Sequence, residues 1–394
     1  MLRPLPLLIA LAAPLIAQQP RADSTVVDTI APGLVHTYYV RQQGPWRVHL
    51  VSVELRGGQY VVRTARALDS LRGRETVSAM VERARRTGRE VLVALNADFF
   101  DLKTGESVNN QVSDGHIWRA LAWSGLPRGA MKSARGQFGM TRDGKPLIDR
   151  FVFAGNVHAG RTSWALDGVN VAPANGQGLT LWFPEANGRS RADSARTARE
   201  LHVTIGRGSW RDSLTLRPHG KLTVADSTPL ALGEAVLVAY GTTRSRLDSI
   251  AALRRPFDVH ALWVPSAGPV DELVGGWPVI LRDGVPMVDE SAKREFTAPS
   301  NANVRHPRSL IGFDADTSHL FLVAIDGRSQ ASVGMTLAEA AEFLRGEGVA
   351  HALNLDGGGS TALLIDGRVV NVPSDPQGER PVANALFIER RRRR

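Results

Sequence analysis

The residues best suited to do chemistry stand in one run, Asn354-Leu355-Asp356-Gly357-Gly358-Gly359-Ser360-Thr361. Three successive glycines leaving an apolar strand clear side chains from the path, so backbone amides can face an anion or oxyanion. Asp356 adds a carboxylate on one side, and Ser360 and Thr361 add hydroxyls on the other. A flexible turn is the competing reading, weakened because such a turn rarely needs three glycines framed by Asn, Asp, Ser and Thr. No Gly-Lys-[Ser/Thr] follows, which excludes a nucleotide P-loop. Gly358-Gly359-Ser360-Thr361-Ala362 is not the nucleophile turn of a serine hydrolase either. That chemistry needs a His after the Ser, and none follows His351.

Other polar groups cluster at the ends of apolar runs: His306-Pro307-Arg308-Ser309, Ile325-Asp326-Gly327-Arg328, Asn371 to Asp375, and Glu379-Arg380. Arginine offers a forked donor pair, so arginines and carboxylates at strand ends suit an anionic substrate. Taken singly, each is also an ordinary turn or surface pair. The ten histidines form no His-Glu-x-x-His, and Asp314-Ala315-Asp316 reads as a hairpin turn without a calcium loop's Gly. No metal and no cofactor is expected. The absence of Cys removes disulfides, thiol nucleophiles, Cys-ligated zinc and iron–sulfur clusters.

The elements that must position these residues can be read from periodicity. Val77, Met80, Val81 and Ala84 fall on one face of a helix over about 76–87, stopped by Gly88 and followed by the buried strand Val91 to Leu95. A second helix over about 336–345 leads through Gly348 to another strand, and both units reach Ala-Leu-Asn-x-Asp, at 94–98 and 352–356. Two such units suggest pseudo-symmetric halves whose strand ends face a shared crevice; two ordinary buried strands ending in Asx turns would look the same. Strands are expected from Val35 to Arg66, with Gly57-Gly58 as a hairpin turn. Short alternating segments over about 138–290 predict antiparallel sheet, and 185–199 an exposed loop. The expected fold class is α+β: a mixed, largely antiparallel sheet with a few covering helices, in a single large domain.

The 394 residues, 43% hydrophobic and 22% charged, exclude disorder and leave ample surface for a core. Met1-Leu2-Arg3, an apolar run to Ala17 and then Gln18-Gln19 form a secretory signal pattern, so 1–17 is expected to be a signal peptide and the protein exported, periplasmic or extracellular. Residues 18–31 are expected to be a linker, 32–389 the domain, and 390–394 a basic tail. No integral membrane segment is expected after cleavage. Six of the nine net positive charges reside in Arg3 and Arg390 to Arg394, leaving a nearly neutral body with no field for nucleic acid.

Taken together, these stretches resemble the phosphodiester glycosidase family over about Gly33 to Ile388. The resemblance is densest at Gly275-Gly276, Pro307-Arg308-Ser309, Asp326-Gly327, Asn354 to Ser360, Pro373-Ser374-Asp375 and Arg380 to Leu386. Upstream, Asn96, Phe99-Phe100, Gly105-Glu106 and Val112 to Gly115 look like the family's first motif. Position 98 departs from it, carrying Asp where Gly is common, which weakens a catalytic role for Asp98 and the symmetric two-aspartate reading. The resemblance implies hydrolysis of the glycosidic C–O bond of a sugar 1-phosphodiester, N-acetylglucosamine-1-phosphodiester-like, to free sugar and a phosphomonoester. Its leaving group is acidic, so holding charge matters more than protonation. A carboxylate must attack the anomeric carbon or activate water, with Asp356, Asp326 and then Glu106 as candidates. Arg308, Arg380 and the amides of Gly357, Gly358 and Gly359 are candidates to hold phosphate. Asn96, Asn354 and Ser360 would orient sugar hydroxyls, and Trp277 or Phe99 would stack on the ring. The partner is then a sugar-phosphate or glycan substrate. Two other functions fit the same residues: a non-catalytic exported glycan-binding module, or a metal-dependent phosphodiesterase cutting P–O.

Overall fold

The repeated helix–strand units start and stop by the same devices. Thr76 and Thr336 cap the helices Val77–Arg86 and Leu337–Gly346 by accepting from the amides of Ala79 and Glu339, and Glu339 completes a capping box. At the other end, Gly88 and Arg89 donate to the carbonyls of Arg85 and Ala84, and Gly348 and Val349 to those of Arg345 and Leu344. Both helices therefore close in a Schellman motif with Gly just past the end. The structure, a computed structural model, describes residues 22–122, 135–173, 175–185, 198–224 and 229–392. The signal pattern lies outside them, as does most of the loop expected at 185–199.

Each helix covers a sheet, and the two sheets face one another. One runs in the order Ser24–Ala31, Leu34–Arg41, Trp46–Glu54, His319–Ile325, Arg308–Phe313, His351–Asn354, Val279–Arg282, Val285–Pro286. The other runs Arg368–Val369, Leu363–Ile365, Val91–Asn96, Asn384–Arg390, Tyr60–Arg66. All neighbours in both are antiparallel. The two-residue period sorts the side chains. Leu320, Leu322 and Ala324 meet Leu386 and Ile388 between the sheets. Phe321, Val323 and Ile325 pack under the helix Leu337–Gly346, while Ala385 and Phe387 pack under Val77–Arg86.

The middle of the chain builds a further, largely antiparallel sheet with its own apolar cluster, joined to the rest by the strand Val270–Gly275. Leu273 sits in the middle cluster and its neighbour Val274 in the inter-sheet core. One parallel pairing, Gly168–Val169 with Gly178–Trp182, and a helix at Arg244–Ala252 interrupt the pattern. The expected α+β fold in one domain is what the structure has. No helix among the described residues is long and apolar enough to cross a membrane.

Three local expectations are corrected. Residues 24–31 form a strand paired with 34–41; nearly every residue in it is exposed, so composition alone read it as linker. Gly57-Gly58 does not turn a hairpin, because Trp46–Glu54 and Tyr60–Arg66 belong to different sheets and the glycines carry the crossover. Arg390 ends the last strand, its Nε bonds Glu90 at 2.7 Å and the Arg391 amide donates to the carbonyl of Gln59 at 2.8 Å, so the expected basic tail is tied to the domain at its start.

Candidate active site

The two Ala-Leu-Asn-x-Asp ends meet where the facing sheets come together. Asp356 donates its amide to the carbonyl of Ala97 at 2.8 Å, and Asn96 Nδ2 donates to the carbonyl of Asp356 at 2.6 Å. Asn96 Oδ1 accepts from Ser309 Oγ at 2.7 Å and from the amide of Ala362 at 3.1 Å. Wholly buried and bonded on both side-chain atoms, Asn96 is a rivet between the sheets, not a hydroxyl-orienting group as expected.

The junction sets two carboxylates within each other's field. Asp98, 1% exposed, accepts from Asn109 twice, from Nδ2 at 2.7 Å on one oxygen and from the amide at 3.0 Å on the other. Its own amide donates to Asn384 Oδ1 at 2.8 Å. Burial pushes Asp98 up to about 6, against the Asn109 bonds and Arg135. Burial also pushes Asp356 up, to about 7; Ser360 and Arg380 oppose the rise and the charge of Asp98 adds to it. Burial thus raises both carboxyls, and the like charge of Asp98 adds to the rise at Asp356. Asp98 is locked by Asn109, whereas Asp356 is partly open to solvent. Asp356 is therefore the member not clamped by a neighbouring amide.

Two arginines stand over the glycines that follow. A Cβ on Gly358, whose φ is +61°, would lie 2.9 Å from Arg328 Nη2, and one on Gly359 would lie 2.2 Å from Arg380 Nη2. The glycines are thus required for the guanidinium groups to approach the backbone. Asp375 grips Arg380 through Nε at 2.7 Å and Nη2 at 3.0 Å. Arg328 is exposed and held by a long 3.3 Å bond to Ser374 Oγ. The Gly358 amide donates to the carbonyl of Pro307 at 2.9 Å, so it is not free to face an anion as expected.

An aromatic wall borders the pair. Phe99 and Trp277 meet edge to face at 4.8 Å, and the Arg135 guanidinium lies 3.4 Å from the centre of the Trp277 ring. Gly275 backs the site so closely that a Cβ there would lie 2.4 Å from Asp98 Oδ1. Around this wall and the glycine loop, Trp277 Nε1, Asn109 Oδ1, Asn354 Oδ1 and Thr361 Oγ1 are buried without a hydrogen-bond partner. Most buried polar atoms are paired, so several unpaired ones in one region mark a place meant for polar contents. The Ser360 hydroxyl lies near enough to Asp356 to favour its ionised form. Asn354 Nδ2 donates to the carbonyl of Trp277 at 2.6 Å, which orients its free Oδ1.

The remaining expected residues fare differently. Asp326 is buried and pushed up to about 6 by burial, with one oxygen held by the amide of Val372 at 2.8 Å. The like charge that Asp356 feels is Asp98, not Asp326. Glu106 pairs with Arg72 at 3.0 Å and lies in the field of Arg66 and Arg119. Arg308 is a correction. Its Nε donates to the carbonyl of Met335 at 2.9 Å, Nη1 to Asn301 Oδ1 at 2.8 Å, and Nη2 to the carbonyls of Asn301 and Val304 at 2.6 and 2.9 Å. At 2% exposure it is a clamp on the segment 301–304 and on Met335, with no fork left for phosphate. Arg328 and Arg135, absent from the expected set, and Asp98, set aside for departing from the family pattern, belong to the site. The doubled Ala-Leu-Asn-x-Asp was the signal for Asp98, and Asp-Gly-Arg after an apolar strand the signal for Arg328. Nothing in the sequence pointed to Arg135. Among the described residues, no three His, Asp or Glu side chains converge as a metal cage.

The fold and site are those of an α+β protein with a carboxylate pair set among arginines and aromatic rings. Residues 208–389 match the family model described as phosphodiester glycosidase, and the resemblance to that family stands on this stretch. Over 107 residues the chain is 36% identical to the SPbeta prophage-derived protein YomE of Bacillus subtilis, covering 27% of this chain and 16% of that one. Over 114 residues it is 33% identical to the N-acetylglucosamine-1-phosphodiester alpha-N-acetylglucosaminidase of Mus musculus, covering 27% and 22%. The matched stretch thus spans about a fifth of these relatives' length. In fold the chain resembles a crystal structure of a protein from Synechocystis, with a TM-score of 0.69 and 19% identity, over 94% of this chain and 64% of that one.

Proposed function

We propose that this protein is an exported phosphodiester glycosidase that hydrolyses the bond between the anomeric carbon of a sugar and the oxygen of a 1-phosphodiester. The observation that carries the reading is the coupled pair Asp98 and Asp356, one locked and one unclamped, beside arginines at a glycine loop. A carboxyl poised near the working pH transfers protons best. Asp356 takes the proton from a water that attacks the anomeric carbon, while the C–O bond breaks and the electron pair leaves with the phosphomonoester. Arg328 and Arg380 hold the departing charge. Asp98 does not touch the substrate; as a fixed neighbouring charge it positions the proton affinity of Asp356. Ser360 and Asn354, the latter through an unpaired oxygen, meet sugar hydroxyls, and Phe99 and Trp277 border the ring. Export rests on the signal pattern at 1–17.

The test is incubation of the full chain with sugar 1-phosphodiesters, UDP-N-acetylglucosamine and p-nitrophenyl sugar phosphodiesters among them, in 18O-labelled water. Free sugar carrying the label at C1, with an unlabelled phosphomonoester, is the expected product. A labelled phosphate, or a sugar phosphate product, would mean cleavage at P–O. Binding of sugar without turnover would mean a glycan-binding module.

A further inference from the structure

The middle sheet contains a cavity of about 250 Å³ lined by His116, Phe183, Glu185, Trp210, Arg211 and Leu214, with the highly exposed Leu232 at its edge. The strand His116–Leu121 separates it from the carboxylate pair. Alternation sends His116 and Trp118, which meet edge to face at 5.6 Å, to one side, and Arg119, which feels Asp98 and Glu106, to the other.

Three observations describe what would fill it. Phe183 stands edge to face with both His116, at 6.0 Å, and Trp210, at 5.8 Å, so the wall offers aromatic surface. Glu185 Oε2 and Trp210 Nε1 are buried without a hydrogen-bond partner, while Glu185 Oε1 pairs with His116 Nε2 at 3.4 Å. Trp210 itself is only 8% exposed. The positive charge of Arg211 is spent on Asp271, at 2.7 and 2.9 Å, and on Asp114 at 2.9 Å. With that cation neutralised and a carboxylate at the wall, an anionic ligand is disfavoured.

An indole N–H gives a hydrogen bond and a carboxylate oxygen takes one, and a hydroxyl serves both. A ring carrying an apolar face for the aromatic side chains and hydroxyls at its edge matches the whole set. The volume admits one such ring. We propose that this cavity is a second site, which binds a neutral saccharide ring apart from the catalytic pair. It would hold a sugar of the same glycan, or a free sugar, whether or not the proposed hydrolysis occurs.

The experiment is isothermal titration of the full chain carrying Asp356→Asn with glucose, galactose, mannose and N-acetylglucosamine, each separately at millimolar concentration. At least one sugar is expected to bind with one-to-one stoichiometry. Adding Glu185→Gln, which preserves shape, or Trp210→Phe, which removes the indole N–H, should weaken that sugar about tenfold while the melting temperature confirms folding. Absence of binding by all four sugars overturns the proposal, as does binding that neither added substitution changes. Because the catalytic carboxylate is already removed in every sample, a failure of the hydrolysis reading leaves this outcome untouched.

Discussion

Asn96 holds the backbone of Asp356 in place: its Nδ2 donates 2.6 Å to the Asp356 carbonyl across a separation of 260 positions in the chain. The same side chain fixes Ser309 and Ala362, so Asp356 and the strands around it are set by one amide. Asn96→Ala should leave three groups without their partner and lower stability by about 3 kcal/mol, read as a fall in the denaturant midpoint at unchanged slope. A variant as stable as the parent would show that Asn96 is not the rivet.

Asp356→Asn should lower kcat by about two to four orders of magnitude, because an amide cannot accept a proton from water. Its stability should move the other way at neutral pH. With Asp356 raised from 3.8 to about 7, folded and unfolded chains both hold the proton at low pH, and only the folded chain holds it in between. The carboxyl therefore costs stability progressively as pH rises through that window, on the order of 4 kcal/mol by its upper end. The melting-temperature difference between Asp356→Asn and the parent should thus grow from pH 4 to pH 7. A variant that melts earlier yet keeps most of its kcat would make Asp356 a structural turn residue.

Asp98→Asn tests the tuning role separately. Replacing the fixed charge by a neutral group removes one of the causes that raise Asp356, so the acid limb of kcat/KM should shift to lower pH, with activity retained at neutral pH. Loss of activity at every pH without a shift of the limb would place Asp98 among the reacting groups.

Arg328→Ala and Arg308→Ala should diverge. The exposed Arg328 stands over Gly358, so its removal is expected to weaken turnover about tenfold or more with little change in melting temperature. The buried Arg308 serves three backbone carbonyls and Asn301, and its removal should cost about 3 kcal/mol or more of stability. Steady-state kinetics beside thermal melts distinguish the two, and equal melting temperatures would contradict the assignment.

The sequence by itself determined the two capped helices, the buried strands after them and the loop Asp356 to Ser360, because caps, helix-ending glycines and apolar periodicity act between residues near in the chain. It also offered Arg380 as a phosphate holder and, through the repeated Ala-Leu-Asn-x-Asp, a shared crevice, but the departure from the family at position 98 set Asp98 aside. Tertiary structure alone decided which polar residues face one another. Arg308 and Arg328 look alike in sequence, each beside a strand end, yet one side chain is consumed by the carbonyls of Asn301, Val304 and Met335 while the other stands exposed at Gly358. The same holds for the strand Ser24–Ala31, whose polar composition gives no sign of the partner strand that orders it. The mutual charge of Asp98 and Asp356 arises only when two sheets pack face to face, since desolvation and Coulomb coupling depend on distances that spacing along the chain does not contain.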